Sequence, residues 1–259
     1  MKTKREVPSP HQHAPRLVIG MQPVREAIRV HGKRLGSVLV ERGSGDPAAR
    51  WDALARFATD QGVSDVRRVD RRELDATALG GMHQGAAAWA PALALLSAEE
   101  VLAAPDLLVL ALDGVQDPQN FGAAIRSAVA LGATSIVWAE HATAPLTPAT
   151  FRASAGAVEH ARLGRVPSLV RFIDDAVASG AAVVGLTTDA EQKLEDVDLT
   201  GRLVLVIGSE HEGIGRAVRR HCTMLARLTL RGPVESLNAS AAAAVALSIA
   251  VIYRARSAT

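Results

Sequence analysis

The chain has 259 residues, 48% of them hydrophobic and 22% charged, the make-up of a soluble globular protein large enough for one big domain or two modest ones. Aromatics at 3% exclude a row of stacking rings as the main device for holding single-stranded bases, and a single cysteine, Cys222, excludes an internal disulfide framework and a cysteine-built zinc site. A net charge of +2 with a pI near 9.0 suits an RNA partner and equally a mildly basic soluble protein.

Residues 1–15 are polar and contain Pro8, Pro10 and Pro15, which predicts a disordered tail. His11 and His13 in that tail read as solvated rather than as metal ligands. No signal-peptide core and no run of membrane-spanning length is expected, so the chain is read as cytoplasmic, with no membrane and no metal. The pattern then predicts a helix over 24–30, a strand over 37–40, a helix from Asp46 to about Asp60, a strand over 63–69, a weak helix over 71–79 and a strand over 86–90. Trp51, Leu54, Ala55, Phe57 and Ala58 mark the apolar side of the second helix. This is a small α/β domain over residues 16–90. Arg67, Arg68, Arg71 and Arg72 crowd one stretch of it among Asp65, Asp70, Glu73 and Asp75; a phosphate-contacting surface and an ordinary solvated face both remain open.

Residues 91–105 read as a linker with a short helix near 98–103. Beyond it strands at 107–112, 135–138, 182–186, 203–207 and 225–228 alternate with helices at 120–131, 147–158, 168–179, 214–221 and 238–256. That alternation predicts an α/β domain over 106–259 with a mainly parallel sheet, whose ligands sit beyond the carboxyl ends of the strands.

Three segments at or near strand ends carry the polar residues. After the first strand, residues 113–122 form a turn-rich loop with Asn120 as a candidate helix cap and Gly122 in the first turn, permitting close approach of a backbone or a ligand. Arg126 follows on an apolar helix, where a snorkelling cation and a functional one are both open. No G-x-G-x-x-G is present, so a nicotinamide site is poorly supported. The second segment, 208–215, has three glycines but no Lys-Ser or Lys-Thr, so a Walker loop fails. Its Glu210 and Glu212 read as a carboxylate pair, a metal holder or helix caps. The third, 231–240, enters an alanine-rich helix suited to a dimer seam or simply to helix formation.

In this order and spacing, the stretches Asn120 to Arg126, Leu205 to Gly213 and Ser236 to Ser240 resemble the three motifs of the SpoU (TrmH) family of RNA 2′-O-methyltransferases. Gly20-Met21-Gln22-Pro23-Val24-Arg25-Glu26-Ala27 and His83-Gln84-Gly85 resemble that family's substrate-binding domain, so the likeness covers about residues 17–256. The resemblance implies a C-terminal domain with a deep trefoil knot, a homodimer through that domain, and S-adenosyl-L-methionine bound bent within the knot. It assigns cofactor contacts to Gly208, Leu228 and Leu237, with Leu186 to Thr188 nearby, and catalytic roles to Asn120, Arg126, Glu210 and Asn238, flanked by Ser236 and Ser240. It implies methylation of a ribose 2′-hydroxyl in RNA, with a guanosine of 23S rRNA foremost. A tRNA methylase, an antibiotic-resistance rRNA methylase and a non-catalytic RNA-binding protein are the alternatives. Guanidinium holds its proton strongly, so Arg126 is expected to stabilise a developing oxyanion rather than act as a base. Two residues depart from the pattern. His211 stands where glycine is usual, a strained choice if that position needs positive φ, and Gln22-Pro23 replaces His-Ala.

Overall fold

The computed structural model describes residues 15–140, 143 and 146–257, so the expected tail with His11 and His13 lies outside the described residues apart from Pro15. The chain divides into two compact units between Ala94 and Leu95.

The first unit runs β1 (Arg16–Ile19), α1 (Met21–His31), β2 (Ser37–Glu41), α2 (Asp46–Asp60), β3 (Val66–Val69), α3 (Arg71–Thr77) and β4 (Ala86–Ala90). Its sheet order is β1-β4-β2-β3, with β4 antiparallel to β1 and β2, and β2 parallel to β3. Strand side chains alternate between faces. Val38, Val40, Ala86 and Ala88 pack on one face with Val24 and Ile28 of α1 and Leu54 and Ala58 of α2. Leu39 and Ala87 cover the other face with Leu74 of α3. The two motifs of this unit meet at one end of the sheet. Met21 N donates to Gln84 Oε1 at 3.3 Å at the start of α1, and Trp51 Nε1 donates to Gln84 O at 3.1 Å. The Trp51 ring lies so close over Gly85 that a Cβ there would sit 2.0 Å from Nε1. His83 is buried; its Nδ1 accepts from Gly85 N at 3.0 Å, which leaves Nε2 to donate to Asp75 Oδ1 at 2.9 Å.

The second unit runs β5 (Leu95–Leu96), α4 (Ala98–Leu102), β6 (Leu108–Asp113), α5 (Pro118–Ala130), β7 (Ser135–Ala139), α6 (Pro148–Ala153), β8 (Leu163–Val166), α7 (Leu169–Ala178), β9 (Ala182–Leu186), β10 (Leu203–Gly208), α8 (Arg216–His221), β11 (Met224–Ala226) and α9 (Ala239–Ser257). Seven parallel strands lie in the order β11-β9-β10-β6-β7-β8-β5. The central strands β6 and β10 are buried along both faces, as their unbroken apolar runs require. Val109, Ala111, Val204 and Val206 share a core with Phe172 and Ile173 of α7 and Val218 of α8. Helix α9 packs against α5 and β10.

The short helix expected within 91–105 is present as α4, and four features depart from the expected pattern or add to it. Leu95 and Leu96 add an edge strand beside β8, and Ser97 opens α4 with a capping box to Glu100 that buries Val101 in the second core. The helix expected over 147–158 ends at Ala153, because Ala155 (φ 49°) and Gly156 (φ 86°) turn left-handed. Strand β8 was not foreseen; its Gly-Arg centre interrupts the apolar run. Finally, α9 is long and apolar enough to match a membrane span by length and composition. Ala243, Ala246, Leu247 and Ala250 are buried within the unit, and Arg254 donates to the carbonyls of Leu199 and Leu107.

Candidate active site

From β6 the chain winds to β7 and β8 on one side, then returns to β9 and β10 on the other, so the winding direction switches between β6 and β10. Asp113 and Gly208, the last residues of those strands, are register partners. A crevice beyond the strand ends at such a switch is where parallel α/β sheets take ligands.

The loop after β10 is a tight hairpin. Ser209 N donates to Gly213 O at 3.1 Å and Gly213 N to Ser209 O at 3.0 Å, with Gly213 at φ 64°. Gly208 lies directly beneath it, and a Cβ there would meet the Gly213 carbonyl carbon at 2.0 Å. The left-handed position belongs to Gly213, and His211 is not among the positive-φ residues, so the departure at His211 carries no backbone strain. Asp113 Oδ2 accepts from Gly215 N at 2.8 Å and ties the far end of the loop to β6. Burial raises the Asp113 carboxyl above its ordinary range, and the Gly215 N–H partly offsets this. Burial, with Asp113 nearby, pushes the Cys222 thiol up to about 11, so this thiol stays protonated at neutral pH.

Asn120 is not the helix cap expected of it. Asp117 caps α5, accepting from Gln119 N at 3.0 Å, because Pro118 suits the first helical position with its fixed φ and missing N–H. Asn120 therefore falls within the first turn with its side chain free, and its Nδ2 donates to Glu210 Oε1 at 2.6 Å across 90 residues of sequence. The contact realised for Glu210 is with Asn120, which was not among the readings its own segment offered. Among the described residues no group of three His, Cys, Asp or Glu side chains is placed to hold a metal. The third segment joins the same cluster. Asn238 Oδ1 accepts from Ala241 N at 2.8 Å and so caps α9, while Ser240 Oγ stands 3.1 Å from Asn120 Oδ1. Gly122 serves packing rather than a ligand: a Cβ there would strike Thr150 O and Ala153 Cβ of α6 at 2.5 Å.

Beside this cluster opens a cleft of about 840 Å³. Gly208, Glu210, Leu228, Ser236 and Leu237 all line it, as do Leu186, Thr187, Thr188 and Ile207. Three polar members escaped the sequence reading, Asp189, Arg219 and Arg227. Asp189 accepts from Thr187 Oγ1 and from Arg219 Nη1, the latter at 2.9 Å, and these contacts hold its carboxyl below the ordinary range. Their only signal was position, Asp189 just past β9, Arg219 on α8 and Arg227 directly after β11. Arg126 stands apart. Like Asn120, Asn238 and Ser240 it is not among the cleft-lining residues; unlike them it joins no hydrogen bond of the cluster, is exposed on α5, and has no hydrogen-bond or ion-pair partner among the described residues.

Comparison with known proteins adds a family to this geometry. Residues 107–248 match the SpoU rRNA Methylase family, and residues 17–94 match the model for RNA 2′-O ribose methyltransferase substrate binding. The chain is 36% identical over 246 residues to the 23S rRNA (guanosine-2′-O-)-methyltransferase RlmB of Pseudomonas putida, covering 92% of this chain and 96% of that one. It is 35% identical over 237 residues to an uncharacterized tRNA/rRNA methyltransferase of Mycolicibacterium vanbaalenii, covering 90% and 74%. Among solved structures it is similar to the SpoU methyltransferase AviRb from Streptomyces viridochromogenes in complex with AdoMet, with TM-score 0.77, 26% identity and coverage of 95% and 92%.

Proposed function

This chain belongs to the SpoU rRNA Methylase family, and from that premise we propose that it methylates the ribose 2′-hydroxyl of a guanosine in 23S rRNA with S-adenosyl-L-methionine. The observation that carries the reading is the meeting of Asn120, Glu210, Asn238 and Ser240 at the strand ends beside the cleft. The match to relatives named as 23S rRNA methyltransferases runs through both units, which favours rRNA over tRNA.

The cleft suits the methyl donor. Gly208 lets the 209–213 hairpin fold directly over the end of β10 at the cleft wall, and Leu186, Ile207, Leu228 and Leu237 supply apolar wall. Bound there, S-adenosyl-L-methionine supplies an electrophilic sulfonium methyl. The protein's share is to hold the ribose oxygen in line, and positioning of this kind contributes several kcal/mol. Asn120, Glu210 and Asn238 offer amide donors and a carboxylate acceptor for the ribose and its neighbouring groups. The ribose hydroxyl is a weak acid, so negative charge develops on its oxygen. Arg126 has an unspent guanidinium to stabilise that charge.

Arg126 does not line the cleft of its own chain, and this bears on assembly. Helix α9 packs on α5 yet leaves Val245 and Ile252 exposed. The reading therefore includes a homodimer through α5 and α9, in which Arg126 of one copy serves the cleft of the other, and the deep knot that the family implies. The first unit is read as the RNA-binding part, and the work is placed in the cytoplasm with the rRNA. The test is incubation with methyl-labelled S-adenosyl-L-methionine and either 23S rRNA or tRNA, followed by digestion to nucleosides. Label in 2′-O-methylguanosine from 23S rRNA is expected. Label in a base, or from tRNA alone, would overturn the reading.

A further inference from the structure

Ser240 has one hydroxyl proton and two carbonyl oxygens within reach, Asn120 Oδ1 at 3.1 Å and Asn238 Oδ1 at 3.2 Å. The two acceptors are not equivalent. Asn238 Oδ1 already takes the Ala241 N–H at 2.8 Å in capping α9. Asn120 Oδ1 has no other donor among the described residues. Assigning the Ser240 proton to Asn120 gives each of the two acceptors a protein donor, and the opposite assignment leaves Asn120 Oδ1 with none among the described residues.

The other end of the Asn120 amide faces Glu210 Oε1 at 2.6 Å. An ionised carboxylate only accepts, so Nδ2 must point at it and Oδ1 must point away, toward Ser240. A flipped amide would press oxygen against oxygen at Glu210 and nitrogen against the hydroxyl at Ser240. We infer that Ser240 is a positioning residue for methyl transfer: its hydroxyl locks the Asn120 amide in the one orientation that holds Glu210 and leaves the second Nδ2 hydrogen free for the ribose. This rests on the methyltransferase reading and extends it to a residue that caps nothing. Ser240 lies in the first turn of α9, where Asn238 already does the capping, so helix formation does not explain a hydroxyl there. The chain Ser240 to Asn120 to Glu210 joins the third, first and second segments in one line of hydrogen bonds.

The test uses the full-length protein with 23S rRNA, comparing Ser240→Ala, Ser240→Thr, Asn120→Ala and the Ala double variant. Ser240→Ala is expected to lower kcat roughly tenfold, the loss of one hydrogen bond in a charged chain. The affinity for S-adenosylhomocysteine and the Tm should stay near wild type. Ser240→Thr, which keeps the hydroxyl, should recover most of kcat. In the Asn120→Ala background, Ser240→Ala should cost nothing further, because the group it orients is gone. Wild-type kcat in Ser240→Ala, or an undiminished loss in the Asn120→Ala background, would overturn the inference. A readout independent of turnover is the Asn120 side-chain amide resonance in NMR, expected to shift and exchange faster in Ser240→Ala. An unchanged resonance would equally overturn it. Failure of the wild-type protein to methylate any ribose would remove the methyltransferase reading, and the amide resonance would still decide the role of Ser240.

Discussion

Both units gather motif residues at one end of a sheet, and they use them in opposite ways. In the first unit the polar groups are spent on the chain itself. His83 is held between Asp75 and Gly85, Gln84 serves Met21 and Trp51, and Arg67 and Arg68 pair with Asp65 and Asp52. In the second unit the groups at the strand ends hold one another and keep capacity in reserve. Glu210 has a second oxygen, Asn238 has a whole amide nitrogen, and Arg126 has no partner among the described residues. The difference teaches that a motif can mark architecture as readily as chemistry, and that unspent hydrogen-bonding capacity beside a cleft tells them apart.

Substitutions should separate the two units by what they damage. The largest effect is expected from Arg126→Ala, with methyl transfer falling about 10²- to 10³-fold while calorimetry finds S-adenosylhomocysteine binding intact. Near-normal turnover would break the assignment of oxyanion stabilisation to Arg126. Next is Gly208→Ala. The new Cβ would force the 209–213 hairpin open, so affinity for S-adenosylhomocysteine should fall at least about tenfold, at a cost like that of core overpacking. Unchanged affinity would place the donor elsewhere.

The first unit should respond differently. His83→Ala leaves Gly85 N without its acceptor and empties a buried site, with an expected loss of about 1–3 kcal/mol in denaturant unfolding and no change in S-adenosylhomocysteine affinity. Lost cofactor affinity would contradict the assignment of His83 to the fold of the first unit. Replacing Arg71 and Arg72 of α3, which are exposed and stand outside the ion pairs of Arg67 and Arg68, together with Ala should weaken RNA binding by about three- to tenfold and flatten its salt dependence. A salt slope that does not change would show that α3 does not contact the RNA.

The smallest effect concerns pH. Burial raises the Asp113 carboxyl, so the folded protein keeps that proton to higher pH than the unfolded chain does. The stability tied to this group is full below the ordinary carboxylate range and falls as pH rises through the raised value. Asp113→Asn keeps an acceptor for Gly215 and removes the buried charge. It should raise Tm by roughly 1–3 °C at neutral pH and lose that advantage near about pH 4. A lower Tm at neutral pH would mean that the charge itself holds the loop.

Much of this was legible in the sequence, for reasons that can be named. The apolar runs of β6 and β10 and the glycines ending the helices set the α/β order, because strands buried on both faces need unbroken apolar sequence. The three polar segments were found because each lies at or near a strand end. What failed was local competition. Pro118 took the first helical position and moved the cap from Asn120 to Asp117. The Ala155-Gly156 turn stopped α6 early, and the small polar centre of β8 hid a strand. The contacts Asn120 to Glu210 and Ser240 to Asn120 span 90 and 120 residues, and no local pattern encodes them. Asp189 and Arg219 went unseen because a lone acid in a turn and a lone arginine on a short helix look like solvated surface until the fold puts them 2.9 Å apart.

The central claim is that the cluster at the ends of β6 and β10 methylates a guanosine ribose in 23S rRNA. The most direct measurement is mass-spectrometric mapping of ribose methylation in rRNA and tRNA from cells lacking this chain, set beside cells with the chain restored or carrying the Arg126→Ala form. One 2′-O-methylguanosine in 23S rRNA should vanish without the chain, return with it and stay absent with Arg126→Ala. An unchanged 23S rRNA map, or a loss confined to tRNA, would contradict the account.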